Sequence, residues 1–231
     1  MSFPASPSPP HAERASDAPS GVVAASAAGA VPPPYQVRPA EQGDRAQVED
    51  VMFRRLIHLP GDVYFRDRLQ SARDLVIGAL GCEDEGRPVV WLLADGPEII
   101  GCTALLTGTL VPGWPEEQQT DSALTVSALF TDPTYRCDRP GRFLIWWALD
   151  YAARLGGIQW LRAATRSERI MRFTRDEIGC RDIRTVVHHG RHLQLLQQPP
   201  RLMPSLPVFI AGPSAAHPRP HSDARAEGQG A

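Results

Sequence analysis

ALFTDPTYRCDRPGRFLIWWALDYAARLGG, residues Ala128 to Gly157, is the stretch whose reading decides the fold. It opens on the end of a strand, Ser122 to Thr131 (SALTVSALFT), and passes into an arginine-rich turn. A helix then runs from Arg139 to Leu155, apolar almost all the way round and stopped by Gly156-Gly157. A strand, a basic turn and a helix N-terminus together make a phosphate-binding device, because backbone N–H groups and the positive end of the helix dipole converge there. Pro140 suits the first helical position, where its missing N–H has no partner to lose. Gly141 lets the backbone approach a phosphate closely. The amides of Gly141, Arg142 and Phe143 can point at an anion, and Arg136, Arg139 and Arg142 surround that point with guanidinium forks.

Outward from this unit, Ile158 to Ala163 is a further strand, so residues 122–163 form a βαβ unit with parallel strands. Upstream, Val89 to Ala94 and Glu98 to Gly108 flank Asp95-Gly96-Pro97 as a hairpin. Thr109 to Thr120 is a Pro-containing loop beside a cleft, and Trp114 within it is a candidate for lining an acceptor pocket. Tyr35 to Arg38 is a short strand, followed by helices over Glu41 to His58 and Val63 to Leu80. Downstream come a helix from Ser167 to Ile178 and strands at Arg181 to His188 and His192 to Gln197. The expected fold is α/β (α+β): a mixed, mostly antiparallel sheet with a central parallel βαβ unit and helices on both faces.

Residues 1–34 are rich in Pro, Ala and Ser and hold too few bulky apolar side chains to offset the entropy of ordering them, so they read as a disordered tail. The domain proper is expected over 35–198, with 199–231 as a second, Pro-rich disordered tail. The net charge of −2 gives no pull toward nucleic acid or an anionic membrane. Every cation among the 24 Lys and Arg is an Arg, so no Lys is present to act as a base or Schiff-base former. Cys82, Cys102, Cys137 and Cys180 are scattered without metal-ligand spacing, which fits reduced thiols in a cytoplasmic protein with no metal site. The His188-His189-Gly190-Arg191-His192 run reads as a turn between strands, since alternation sends neighbouring side chains to opposite faces. No membrane span is expected, because no apolar run approaches ~18 residues, and no secretory leader, because the N-terminus lacks a basic stretch followed by an apolar one.

The element order, together with Thr131-Asp132-Pro133-Thr134-Tyr135-Arg136 at the strand–helix turn, resembles the GCN5-related N-acetyltransferase superfamily over residues 35–197. The family pattern places glycines at three following positions; this chain has Cys137 and Arg139 at the first two and keeps Gly141. The resemblance implies an acyl-CoA-dependent enzyme that moves an acetyl group from acetyl-CoA to a small-molecule or peptide amine by direct attack. It implies that Leu129, Phe130 and Thr131 offer backbone groups to the pantetheine, and that Arg136, Arg139, Gly141 and Arg142 hold the pyrophosphate. A base is needed to take the amine proton, and the family position for it corresponds to Asp121 at the start of the strand. The family's acid, a Tyr ahead of a Gly-aromatic pair, has no counterpart in Arg172 to Cys180, where Phe173 or Thr174 stands instead. That gap leaves a second implication open: a weak or inactive domain of this fold that binds acyl-CoA.

Overall fold

Alternation and helical periodicity together generate one strand-rich layer with helices on either side. The computed structural model of the chain describes residues 33–58, 63–109, 113–135, 137, 139–180, 182–188 and 190–212, all within the unit Pro32–Ala231. The expected N-terminal tail up to residue 32 and residues 213–231 lie outside the described residues. Strand β1 (Tyr35–Pro39) leads through a 3-10 turn (Gln42–Asp44) into α1 (Arg45–Ile57). Arg38 grips both oxygens of Asp44 at 2.7 and 2.6 Å, and Asp44 also accepts the Glu41 amide at 2.8 Å. The Arg38 hydrogen bond holds the Asp44 carboxyl below the usual carboxylate range and locks the start of α1 to the end of β1.

The chain continues through α2 (Val63–Gly78) and a small hairpin of β2 (Glu83–Asp84) and β3 (Arg87–Pro88) that the sequence did not suggest. Next come β4 (Val90–Asp95), β5 (Glu98–Thr107), the single turn α3 (Glu116–Gln119), β6 (Ala123–Thr131) and α4 (Pro140–Leu155). Strand β7 (Trp160–Thr165), α5 (Glu168–Asp176), β8 (Asp182–His188), β9 (Arg191–Gln198) and β10 (Ile210–Ala211) complete it. The main sheet has the order β10-β1-β4-β5-β6-β7-β9-β8. Its pairs are antiparallel except β6–β7, the expected βαβ unit, and β1–β10.

Two layers of side chains bury the sheet. On one face Val48, Val51 and Met52 of α1 and Val76 of α2 pack on Val90, Leu92, Cys102 and Phe130. On the other, Leu144, Trp147, Ala148 and Leu149 of α4 pack on Val37, Leu93, Ile100, Leu124 and Leu161. Trp91 and Tyr151 stack with Trp147 at centroid distances of 4.6 and 5.0 Å, a contact geometry that adds to area burial. Gly101 lets α4 sit this close, since a Cβ there would lie 3.2 Å from both Leu144 Cδ1 and the Phe130 carbonyl. No helix among the described residues is long and apolar enough to cross a membrane.

Beyond the boundary expected at residue 198 the described chain continues to residue 212. After Gln198 the chain crosses the outside of α4 as a strap: the Met203 amide donates to Asp150 (2.8 Å), Leu206 and Ile210 are buried, and β10 pairs with β1. The physical reason is the apolar outer surface of α4. The Phe143 ring lies between Tyr35 of β1 at 5.3 Å and Phe209 of the strap at 6.0 Å, and meets Trp146 edge-on at 6.1 Å.

Candidate functional site

Strands β6 and β7 run side by side only from Ala123↔Trp160 to Val126↔Ala163. On the other edge of β6 the register shifts, with Leu105 opposite Val126 but Ala104 opposite Ala128, so Ser127 is an extra, bulged residue. A bulge sharpens the local twist and ends pairing. From Ser127 to Thr131 strand β6 consequently keeps β5 as its one partner, and its second edge lies open toward the departing β7. Crevices at the carboxyl ends of parallel strands are the usual ligand sites of such sheets.

The open edge does not expose every residue equally. The Asp132 amide donates to the Ile100 carbonyl at 2.9 Å. By the alternation of an antiparallel ladder, Phe130 is then hydrogen-bonded to Cys102, while Leu129 and Thr131 turn their N–H and C=O groups to the open side. Of the three residues expected to meet a pantetheine chain, two present their backbone there. The backbone of Phe130 is spent on β5, and its side chain is 2 % exposed in the core.

Helix α4 starts beside this edge. A Cβ on Gly141 would come within 3.5 Å of Leu129 Cδ2 and 3.7 Å of Thr131 Cγ2, ordinary contact, so Gly141 stands directly over the open half of β6. Arg139 caps the helix in the left-handed region (φ 52, ψ 55), the conformation glycine adopts most readily, and it stands at one of the glycine positions of the motif. Its carbonyl takes the Arg142 amide at 2.8 Å, so that amide is not available to an anion. Among the described residues this leaves the Gly141 amide as the first-turn donor, Pro140 having none. Arg136 lies outside the described residues.

The two described arginines of the turn are already engaged. Glu177, at the end of α5, accepts Arg139 Nη1 on Oε1 at 3.2 Å and Arg142 Nη2 on Oε2 at 3.0 Å. The Arg142 guanidinium also lies over the Trp146 ring, 4.2 Å from its centroid. Below the turn, buried Asp132 accepts the amide and hydroxyl of Thr134 (2.8 and 2.7 Å) and pairs with Arg54 of α1 at 2.9 Å. Tyr135 donates to Glu98 at 3.0 Å, and that hydrogen bond, followed by desolvation, pushes its phenol up to about 12. The turn is thus tied to both sides of the fold.

Asp121, the expected base, is bound elsewhere. Its carboxylate accepts Arg162 Nη2 at 2.6 Å, and the Arg162 side chain is 0 % exposed. Arg162 also donates to Gln197 Oε1 (2.7 Å), the Gln118 carbonyl (2.6 Å) and the Thr109 hydroxyl, and lies 4.6 Å from the Trp114 centroid. A buried guanidinium demands such partners. Trp114 is 4 % exposed against Leu193 and Leu195, so it packs the loop down instead of lining a pocket. Phe173 packs against the α4-side core, and Thr174 donates its hydroxyl to the Ile170 carbonyl at 2.7 Å, so neither presents a proton donor to the opening.

The Ser127 bulge, the Asp132–Arg54 pair and the Glu177 bridge were missed in the sequence. The bulge did leave a signal: Leu124, Val126 and Leu129 face the same core, which breaks the spacing of two with a spacing of three.

Element order, the parted parallel pair and the helix start beside it are those of the GCN5-related N-acetyltransferase fold, and the chain has that fold. No family model matches the sequence, and no curated protein matches it. Among solved structures, an acetyltransferase of the GNAT family from Listeria monocytogenes 4b F2365 superposes with TM-score 0.54 at 14% identity, over 71% of this chain and 94% of that one. The loading GNATL domain of CurA from Lyngbya majuscula gives 0.49 at 12% identity over 71% and 97%. The yncA protein from Salmonella typhimurium, solved with its cofactor acetyl-CoA, gives 0.43 at 16% identity over 73% and 95%.

Proposed function

We propose that this chain is an acyl-CoA-dependent N-acyltransferase that moves an acetyl group from acetyl-CoA to an amine by direct attack. The observation that carries the reading is the open edge of β6, where Leu129 and Thr131 turn unpaired backbone groups toward the gap beside α4. The pantetheine would take the place of the missing strand there. Gly141, Arg139 and Arg142 would hold the pyrophosphate, with Arg136 added from the turn. The bulged Ser127 amide is the candidate donor to the thioester oxygen, where charge develops in the tetrahedral intermediate. The acceptor would be a small-molecule or peptide amine, and a cytoplasmic setting fits a cofactor of that compartment.

The chemistry needs the amine neutral and the departing thiolate stabilised. Asp121 remains the proposed base, but its bond to Arg162 requires it to act through the oxygen that Arg162 leaves free, or through water. That engagement, with Phe173 and Thr174 turned to other partners, favours one second reading: a domain of this fold that binds acyl-CoA without turning it over.

Titration calorimetry with acetyl-CoA tests the cofactor, and absence of heat at sub-millimolar concentrations would remove both readings. A thiol-release assay with binding established then separates them: release with any member of an amine panel supports the enzyme, and none supports the binder.

A further inference from the structure

We propose that Glu177 is a built-in carboxylate competitor of the cofactor's phosphates, setting the affinity of the α4 site; the cofactor side of this rests on the reading above. Its two oxygens each take one guanidinium, Arg139 at 3.2 Å and Arg142 at 3.0 Å, which is how a phosphate group would bridge the same pair. Both arginines flank the start of a helix whose dipole favours an anion at that place. The site as folded therefore already contains an anion, supplied by the chain itself.

The contact is built to open. The Glu177 side chain is 31% exposed, and half-exposed pairs of this kind are weak. The cofactor's pyrophosphate, esterified at both ends, carries about two charges spread over two phosphates against the carboxylate's single one, and offers more acceptor oxygens to the two guanidinium forks, so it wins the arginines when both compete. The backbone of Glu177 need not move. Its amide donates to Phe173 at 2.9 Å, and the next residue, Ile178, is 1 % exposed in the core. Release is thus a side-chain rotation into solvent. The Arg142 guanidinium keeps a second contact when Glu177 leaves, the Trp146 ring 4.2 Å away.

The test is calorimetry on the full chain, wild type against Glu177→Gln, with acetyl-CoA and separately with inorganic pyrophosphate. Removing the competing charge should tighten both ligands by roughly five-fold and steepen the salt dependence of binding, the size following from two exposed pairs. Glu177→Asp, whose shorter carboxylate cannot bridge both guanidinium groups, should shift affinity in the same direction if the Gln variant folds poorly. A variant that melts lower but binds both ligands no better than wild type would make Glu177 a plain staple between α5 and α4 and overturn the proposal. A gain for pyrophosphate without any acetyl-CoA binding would keep the competitor and sink the acyl-CoA reading. Failure of all proteins to bind either ligand would sink both.

Discussion

Arg139 holds a backbone conformation (φ 52) that a side chain with a Cβ adopts at a cost of about 1 kcal/mol or more. Arg139→Gly should therefore melt no lower than the parent despite losing its exposed pair with Glu177, whereas Arg139→Val, β-branched, should cost roughly 1–2 kcal/mol. Thermal denaturation decides it, and equal destabilisation by both would remove the strain argument. Asp121 and Arg162 pose the opposite problem, because the Arg162 guanidinium is wholly buried. Asp121→Ala strands that charge and should destabilise by about 2–3 kcal/mol, less than the full penalty because Gln197, Gln118 and Thr109 remain as acceptors. The double variant Asp121→Ala, Arg162→Met should recover part of the loss. A catalytic Asp121 without structural weight would show a rate defect and an unchanged melt instead.

Helix α4 explains both what the sequence disclosed and what it hid. Its strand-turn-helix context marked the fold, and the parallel partner β7, the antiparallel hairpin and both flanking helices follow from ordinary periodicity. Its apolar outer face was equally visible, but the segment that covers it was not. Residues 199–209 carry Pro199, Pro200, Pro204 and Pro207, which lack amides and leave no periodic pattern. They are held by single anchors such as Leu206 and the Met203–Asp150 bond. The clamp on Arg162 was illegible for a similar reason, since its partners come from α3, the loops beside it and β9, far apart in the chain. Leu206→Ala should cost about 2–3 kcal/mol and lower the melting temperature by roughly 4–12 °C. Truncation after Gln198 should go further and give aggregating protein, because it uncovers β1 and the aromatic face of α4 together. A truncated chain that melts like the parent would mean that the strap contributes nothing.

At the scale of the whole sheet, the strands fall into two groups, β10-β1-β4-β5-β6 and β7-β9-β8, joined by a parallel ladder of four residue pairs between β6 and β7. Further contact between them runs through α4, the Arg162 clamp and Trp114, which packs on Leu193 and Leu195 of β9. A ligand that adds hydrogen bonds along the open half of β6 and rests on the start of α4 ties these parts together in the folded state alone. By mass action, acetyl-CoA at one hundred times its dissociation constant should add about 2.7 kcal/mol of stability, a rise of roughly 5–11 °C in melting temperature. Magnitude alone would not locate the ligand, but the ladder supplies a residue-level signature. The amides of Leu129 and Thr131 face the gap, while those of Phe130 and Asp132 face β5. Hydrogen exchange with and without acetyl-CoA should thus gain protection at residues 129 and 131 and change little at 130 and 132. A uniform gain along β6 would indicate general tightening, and no gain at the two odd positions would place the ligand away from the open edge.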